Sequence, residues 1–80
     1  MDDLDIVHRI GKLADEEHTL ERAHAGKALS ETEAERKRAL EVALDQCWDL
    51  LRQRRAREDA GEDPDVARER PADEVEGYLQ

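Results

Sequence analysis

The chain is poor in the residues from which most compact folds are built. It has no phenylalanine, and Trp48 and Tyr78 are its only aromatic side chains among 80 residues. Sandwiches and barrels rest on β-branched and aromatic strands, so this composition excludes them. The single cysteine, Cys47, has no partner for an internal disulfide and fits a reducing compartment. No stretch approaches the ~20 apolar residues of a membrane span. The opening MDDLDIVHRI lacks the basic segment and apolar run of a secretory signal, so the cytoplasm is the expected location. Two prolines and four glycines are present, and none of them falls between Ser30 and Ala60.

Charge is abundant instead. Asp, Glu, Lys and Arg make up 44% of the chain, with a formal net charge of −9. Residues 1–57 hold 13 acids against 11 bases, whereas residues 58–80 hold 9 acids against 2 bases. A nearly neutral body therefore carries an acidic tail, which repels nucleic acid and anionic membranes. A domain this small rarely gains more than about 3–5 kcal/mol from its core, so association is expected to supplement it.

The apolar pattern is helical. Ile6, Ile10, Leu13, Glu17, Leu20 and His24 follow a 4-3-4-3-4 spacing, a heptad seam with two polar intrusions. Leu4, Val7 and Ala14 widen that stripe to one side. Asp2 or Asp3 is placed to cap the first helix. Gly11 weakens it by about 1 kcal/mol relative to Ala and suggests a close helix approach. The pattern stops near Gly26. Ser30-Glu31-Thr32-Glu33 is a capping box that restarts the chain. Beyond it, Leu40, Leu44, Cys47, Leu51 and Arg54 keep the seam, with Ala43 and Leu50 beside it. The short connection dictates antiparallel neighbours, with Ile10 near Cys47 and Ile6 near Leu51. Pro64, capped by Asp63, opens one short turn, and Pro71 ends it. In the last segment Val75, Tyr78 and Leu79 stand amid acids.

Several constellations bear on function. Asp15-x-x-His18 and Glu21-x-x-His24 put a carboxylate and an imidazole on one helix face, and Glu17 joins His24 on the seam. Glu17, His18, Glu21 and His24 are thus the candidate metal ligands, as in carboxylate-bridged bundles. In so acidic a chain, an acid three residues before a histidine is commonplace, and Glu21 and His24 lie at a helix end. No metal or other cofactor is therefore expected. Glu41, Asp45 and Asp49 form an i, i+4 ladder of like charges, for which His8, Arg9 and Lys12 of the first helix are the expected counterparts. Arg52, Arg54, Arg55 and Arg57 make a basic helix end that suits the helix dipole, faces Asp2, Asp3 and Asp5, and can also receive the tail. Without interleaved aromatics this is no nucleic-acid patch. Trp48 is expected at a hairpin–hairpin interface, with Arg52 one turn on over its ring, or exposed as an anchor for another protein. Trp48, Arg52, Arg54, Arg55 and Tyr78 are the candidate partner-binding residues. Cys47 reads as a small buried apolar residue. No nucleophile–base pair or phosphate loop is assembled.

The run Leu44 to Arg57 (LDQCWDLLRQRRAR), the following GEDPD and the terminal VEGYLQ resemble a family of short actinobacterial proteins known only as a domain of unknown function. The likeness spans nearly the whole chain and implies an actinobacterial origin, but it supplies no activity. WDLLR is also similar to the end of the cyclic di-GMP motif in the RsiG anti-sigma hairpin, which puts Asp49 at that motif's Asp. Stepping back puts Asp45, Glu41, Arg38 and Ala34 at its Gln, Arg, Ser and Glu positions. Only the Asp matches, so the likeness extends to hairpin architecture and a regulatory role and not to nucleotide binding.

The expectation is an all-α, coiled-coil-like antiparallel hairpin over residues 1–60, with helices at about 3–25 and 31–59. A partly ordered acidic tail follows over 61–80, and the hairpin dimerises into a four-helix bundle. The expected role is a non-enzymatic protein–protein interaction or regulatory module with an unknown protein partner. The alternative is a small-ligand or metal-binding regulator on the same bundle.

Overall fold

A computed structural model describes residues 2–24 and 26–71. It is two helices packed against each other, α1 (Asp3–Ala23) and α2 (Glu31–Asp59), followed by a 3-10 turn at Pro64–Val66. Among the described residues there is no strand.

Each helix begins on a reciprocal cap. The Asp5 amide donates to Asp2 Oδ1 at 2.8 Å, and the Asp2 amide donates back to Asp5 Oδ2 at 3.3 Å. At α2 the Glu33 amide donates to Ser30 Oγ at 3.2 Å and the Ser30 amide to Glu33 Oε1 at 3.0 Å. Two of the four amides left free at each helix start are satisfied this way. The hydrogen bonds donated to these carboxylates hold both below their ordinary range. The backbone amide of Asp5 is the main cause at Asp2, and Ser30 is the main cause at Glu33.

α1 stops two residues earlier than the periodicity predicts, because the connection begins at His24. The Lys27 amide donates to the His24 carbonyl at 2.9 Å, and Gly26 takes a φ of +77°, a conformation that a side chain disfavours. α2 ends on a Schellman motif, with Gly61 at φ +74°. The Gly61 amide donates to the Glu58 carbonyl at 3.0 Å and the Glu62 amide to the Arg57 carbonyl at 2.7 Å.

The core is the inner heptad seam. Ile6 and Ile10 of α1 meet Cys47 and Leu51 of α2 in one cluster, with Leu13, Leu44 and Leu50 packed against it. This is the antiparallel register expected from the sequence. Ile6 and Leu51 are sealed from solvent at 0% and 1% exposure, each contributing about 1.5–3 kcal/mol. Burial pushes the Cys47 thiol up from its usual value, which keeps it protonated and unreactive.

Two expectations fail here. Gly11 does not mark a close approach within the hairpin: a Cβ added there meets nothing within 4 Å. The ladder Glu41, Asp45 and Asp49 does not face α1. Counting about 100° per residue from the seam puts Glu41 and Asp45 on the flank that carries Trp48 and takes Asp49 round to the outer side of α2. Glu41 lies 4.0 Å from Lys37 of its own helix, and Asp49 is taken by the segment after α2.

Candidate interaction surfaces

Two packed antiparallel helices leave two broad faces, one on either side of the seam. One is covered by residues 61–71, which leave the end of α2 and climb back along it as a strap. Asp65 is placed by its turn: its amide donates to Asp63 Oδ1 at 3.0 Å, and Pro64 fixes the first position. The Asp65 carboxylate accepts from Arg54 Nη1 at 2.9 Å, while Arg54 Nε donates to Asp3 Oδ1 at 2.6 Å. The two carboxylates hold the buried guanidinium above even its ordinary range, Asp3 contributing first. One side chain thus ties the first turn of α1, the last turns of α2 and the strap together.

Higher up, Gln53 Nε2 donates to the Arg68 carbonyl at 2.7 Å and Gln46 Nε2 to the Arg70 carbonyl at 3.3 Å. Asp49 between them is 3% exposed, accepting from Gln53 at 2.9 Å and pairing with Arg70 Nε at 3.3 Å. Ala67 is buried as well. Sequence reasoning missed this latch. Its signal is the spacing of Gln46, Asp49 and Gln53, a polar line one residue before Cys47, Leu50 and Arg54 on or beside the inner seam. Asp49, the one residue shared with the cyclic di-GMP motif, is therefore committed to the protein's own strap.

The opposite face is bare of any described segment. On α1 it carries Leu4, Val7, Gly11, Ala14 and His18, and on α2 Glu41, Asp45, Trp48, Arg52 and Arg55. The first stripe has 3-4-3-4 spacing and the second 4-3-4-3, so each is a second heptad seam parallel to the inner one. Antiparallel helices present these flanks on the same side. Leu4, Val7 and Trp48 are 62%, 45% and 44% exposed, which is unusual for large apolar side chains set in register. Gly11 lies within this stripe, where its missing side chain has no purpose inside the hairpin. Along α2 the stripe runs from two acids through Trp48 to two arginines.

The predicted partner-binding residues thus separate. Trp48, Arg52 and Arg55 are exposed on one face, and Arg54 is internal; Tyr78, with Val75 and Leu79, lies outside the described residues. The candidate metal ligands are not gathered. His24 Nε2 contacts Glu33 Oε2 across the connection, and Lys37 Nζ lies 3.5 Å from Glu21 Oε1. His18 is exposed on the open stripe. Glu17 is half-buried on the seam, with Oε2 out of reach of solvent and without a hydrogen-bond partner among the described residues. Among the described residues no group of three or more His, Cys, Asp or Glu is placed to hold a metal ion, and no helix is long and apolar enough to cross a membrane.

The family described as "Protein of unknown function (DUF2630)" matches residues 2–80, covering hairpin, strap and tail together. Uncharacterized proteins of Mycobacterium tuberculosis and Mycobacterium bovis are 47% identical over 77 residues, covering 95% of this chain and 88% of theirs. Both organisms are actinobacteria, in keeping with the resemblance read from the sequence. No solved structure matches the chain.

Proposed function

We propose that this chain, which belongs to the DUF2630 family of unknown function, is a non-enzymatic association module whose first partner is a second copy of itself. The observation that carries this reading is the second heptad seam: exposed Leu4 and Val7 on α1 and Trp48 on α2 stand in register on one open face of a two-helix layer, where a four-helix bundle would bury them. The strap closes one face with polar contacts and leaves open the other, where the apolar stripe of α1 lies beside a charged row of α2 centred on Trp48. A lone buried thiol suits the reducing cytoplasm as the site of action.

The order of charges selects the geometry. Glu41 lies seven residues before Trp48 and Arg55 seven after, each about 10 Å along the helix axis. Asp45 and Arg52 repeat the opposition closer in. A two-fold axis perpendicular to the helices and crossing α2 near Trp48 sets α2 against the second copy's α2 in the opposite direction. Each copy's arginines then meet the other's acids, and the two Trp48 rings meet at the centre. The same axis brings the two α1 helices together near Gly11, where the absence of a side chain permits close approach.

Trp48 is the only tryptophan, so its emission reads this interface directly. Dilution is expected to shift the emission to the red together with a fall in mass by sedimentation. A Gly11→Lys variant is expected to remain a helical monomer with red-shifted emission at every concentration. A wild-type chain that sediments as a monomer throughout, with no change in emission, would remove the basis for this reading.

A further inference from the structure

The strap is fastened to its face as far as Gln46, whose side chain holds the Arg70 carbonyl. Beyond that latch, towards the connection, a groove of about 450 Å³ lies between the helices with no described segment over it. It is lined by Thr19, Leu20 and Ala23 of α1 and Leu40 of α2. Asp15 and the ion pair of Glu16 with Arg36, 2.5 Å long, form its charged edge. We propose that this groove takes a helix of another protein, which brings aliphatic side chains to Leu20 and Leu40 and a lysine or arginine to the carboxylates of Asp15 and Glu17.

Three features define that partner. The first is an unmet carboxylate. Glu17 stands on the inner seam, where the register of Ile10 with Cys47 puts it level with Leu40 of the groove. Its Oε2 has neither solvent nor a hydrogen-bond partner among the described residues. An oxygen left in that state costs stability, whereas leucine at the same position would complete the seam. A cation delivered along the groove satisfies the carboxylate after a rotation about the side chain's own bonds. The second feature is the sign of the charge. Asp15, Glu16 and Glu17 are consecutive, and Arg36, the cation of the lining, is already paired with Glu16. Asp15 is exposed and has no ion pair among the described residues. An acidic wall whose one cation is neutralised favours a basic partner. The third feature is shape. The groove follows α1 from Glu16 to Ala23, about 10 Å or two helical turns. A helix laid along it sets apolar residues at i, i+3 and i+4 against Leu20 and Leu40, the way an amphipathic helix fills a groove between two others.

This partner goes beyond self-association and does not rest on it, since the groove and the Trp48 stripe lie on opposite faces. Titration of the full nitrogen-15 chain with a helical peptide, leucines at i, i+3, i+4 and i+7 flanked by lysines, tests it. The amide signals of Thr19, Leu20, Ala23 and Leu40 are expected to move, while those of Val7 and Trp48 stay. The same peptide with glutamates for its lysines, or with its leucines and lysines shuffled off one face, is expected to move none of them. Shifts given equally by the shuffled peptide, or confined to residues outside the groove, would overturn the proposal. Glu17→Leu guards against a folding artefact. With its seam completed, this variant is expected to unfold at a higher urea concentration and yet bind the lysine peptide about tenfold more weakly, the loss of one charge-assisted hydrogen bond. Binding as tight as that of the wild type, or a less stable chain, would equally overturn it. Gly11→Lys, which blocks the Trp48 face, is expected to bind the peptide unchanged. Loss of binding there would assign the peptide to the other face, so the groove and the self-association stand or fall separately.

Discussion

The two faces of this hairpin are built from the same helices and finished in different ways. One is closed by a strap that buries Ala67 and is fastened by polar contacts. It is held by amide side chains on main-chain carbonyls and by two ion pairs, Arg54 with Asp65 and Arg70 with Asp49. The other carries Trp48, Val7 and Leu4 in heptad register under nothing described. A polar face satisfied inside the chain needs no partner, whereas an apolar face left open loses free energy for every Å² kept in water. The difference separates the contacts that stabilise the single chain from the surface on which the proposed association rests.

That separation is open to attack at several points. The inner seam serves both faces, so Leu51→Ala should have the largest effect, a loss of about 2–5 kcal/mol in urea unfolding followed by circular dichroism. A smaller change would mean that the seam is loosely packed. Arg70→Ala leaves the buried Asp49 carboxylate short of its cation and should cost about 1–3 kcal/mol. It should speed amide exchange in the strap and leave the sedimenting mass unaltered. A loss of mass in that variant would tie the two faces together. Gly11→Ala sharpens the comparison from the other side. In dilute solution it should raise stability by about 1 kcal/mol, since the site is an open helix interior. The added methyl should weaken association at higher concentration.

The smallest effect is a pH dependence shared by both helix starts. Asp2 and Glu33 are held below their ordinary values of 3.8 and 4.5 in the folded chain. Their contribution is complete above those values and is lost as the pH falls through the lower, folded ones. Acid unfolding should therefore show a decline beginning below about pH 4.5, and Glu33→Gln should flatten its upper part.

Much of the fold was legible because it is local. Ser30 and Glu33 announce their helix by chemistry that operates within one turn, and the spacing from Ile6 to His24 names its own face. Even Pro64 after Asp63 fixes its turn from two residues. The strap was not legible, because glutamine side chains bind main-chain carbonyls that every residue possesses, and nothing in Arg68 or Arg70 marks their carbonyls as the acceptors. The acidic ladder misled for a different reason. An i, i+4 row drifts about 40° per step, so Glu41, Asp45 and Asp49 leave the seam and do not run along it. The outer stripe was legible only in part: Leu4, Val7 and Ala14 stood out, but the matching row through Trp48 is mostly charged. Charged residues at regular spacing read as solvated surface until the exposed tryptophan at their centre gives them a common purpose.

The account depends above all on an antiparallel pairing in which Arg55 of each copy meets Glu41 of the other. Sedimentation equilibrium on two charge-reversed variants, Arg55→Glu and Glu41→Arg, examines it most directly. Each alone sets like charges together at both ends of the interface and should be monomeric at concentrations where the wild type is a dimer. Mixed in equal amounts, they place opposite charges at both ends again and should recover the dimer mass. Two variants that dimerise separately, or a mixture that stays monomeric, would contradict the pairing.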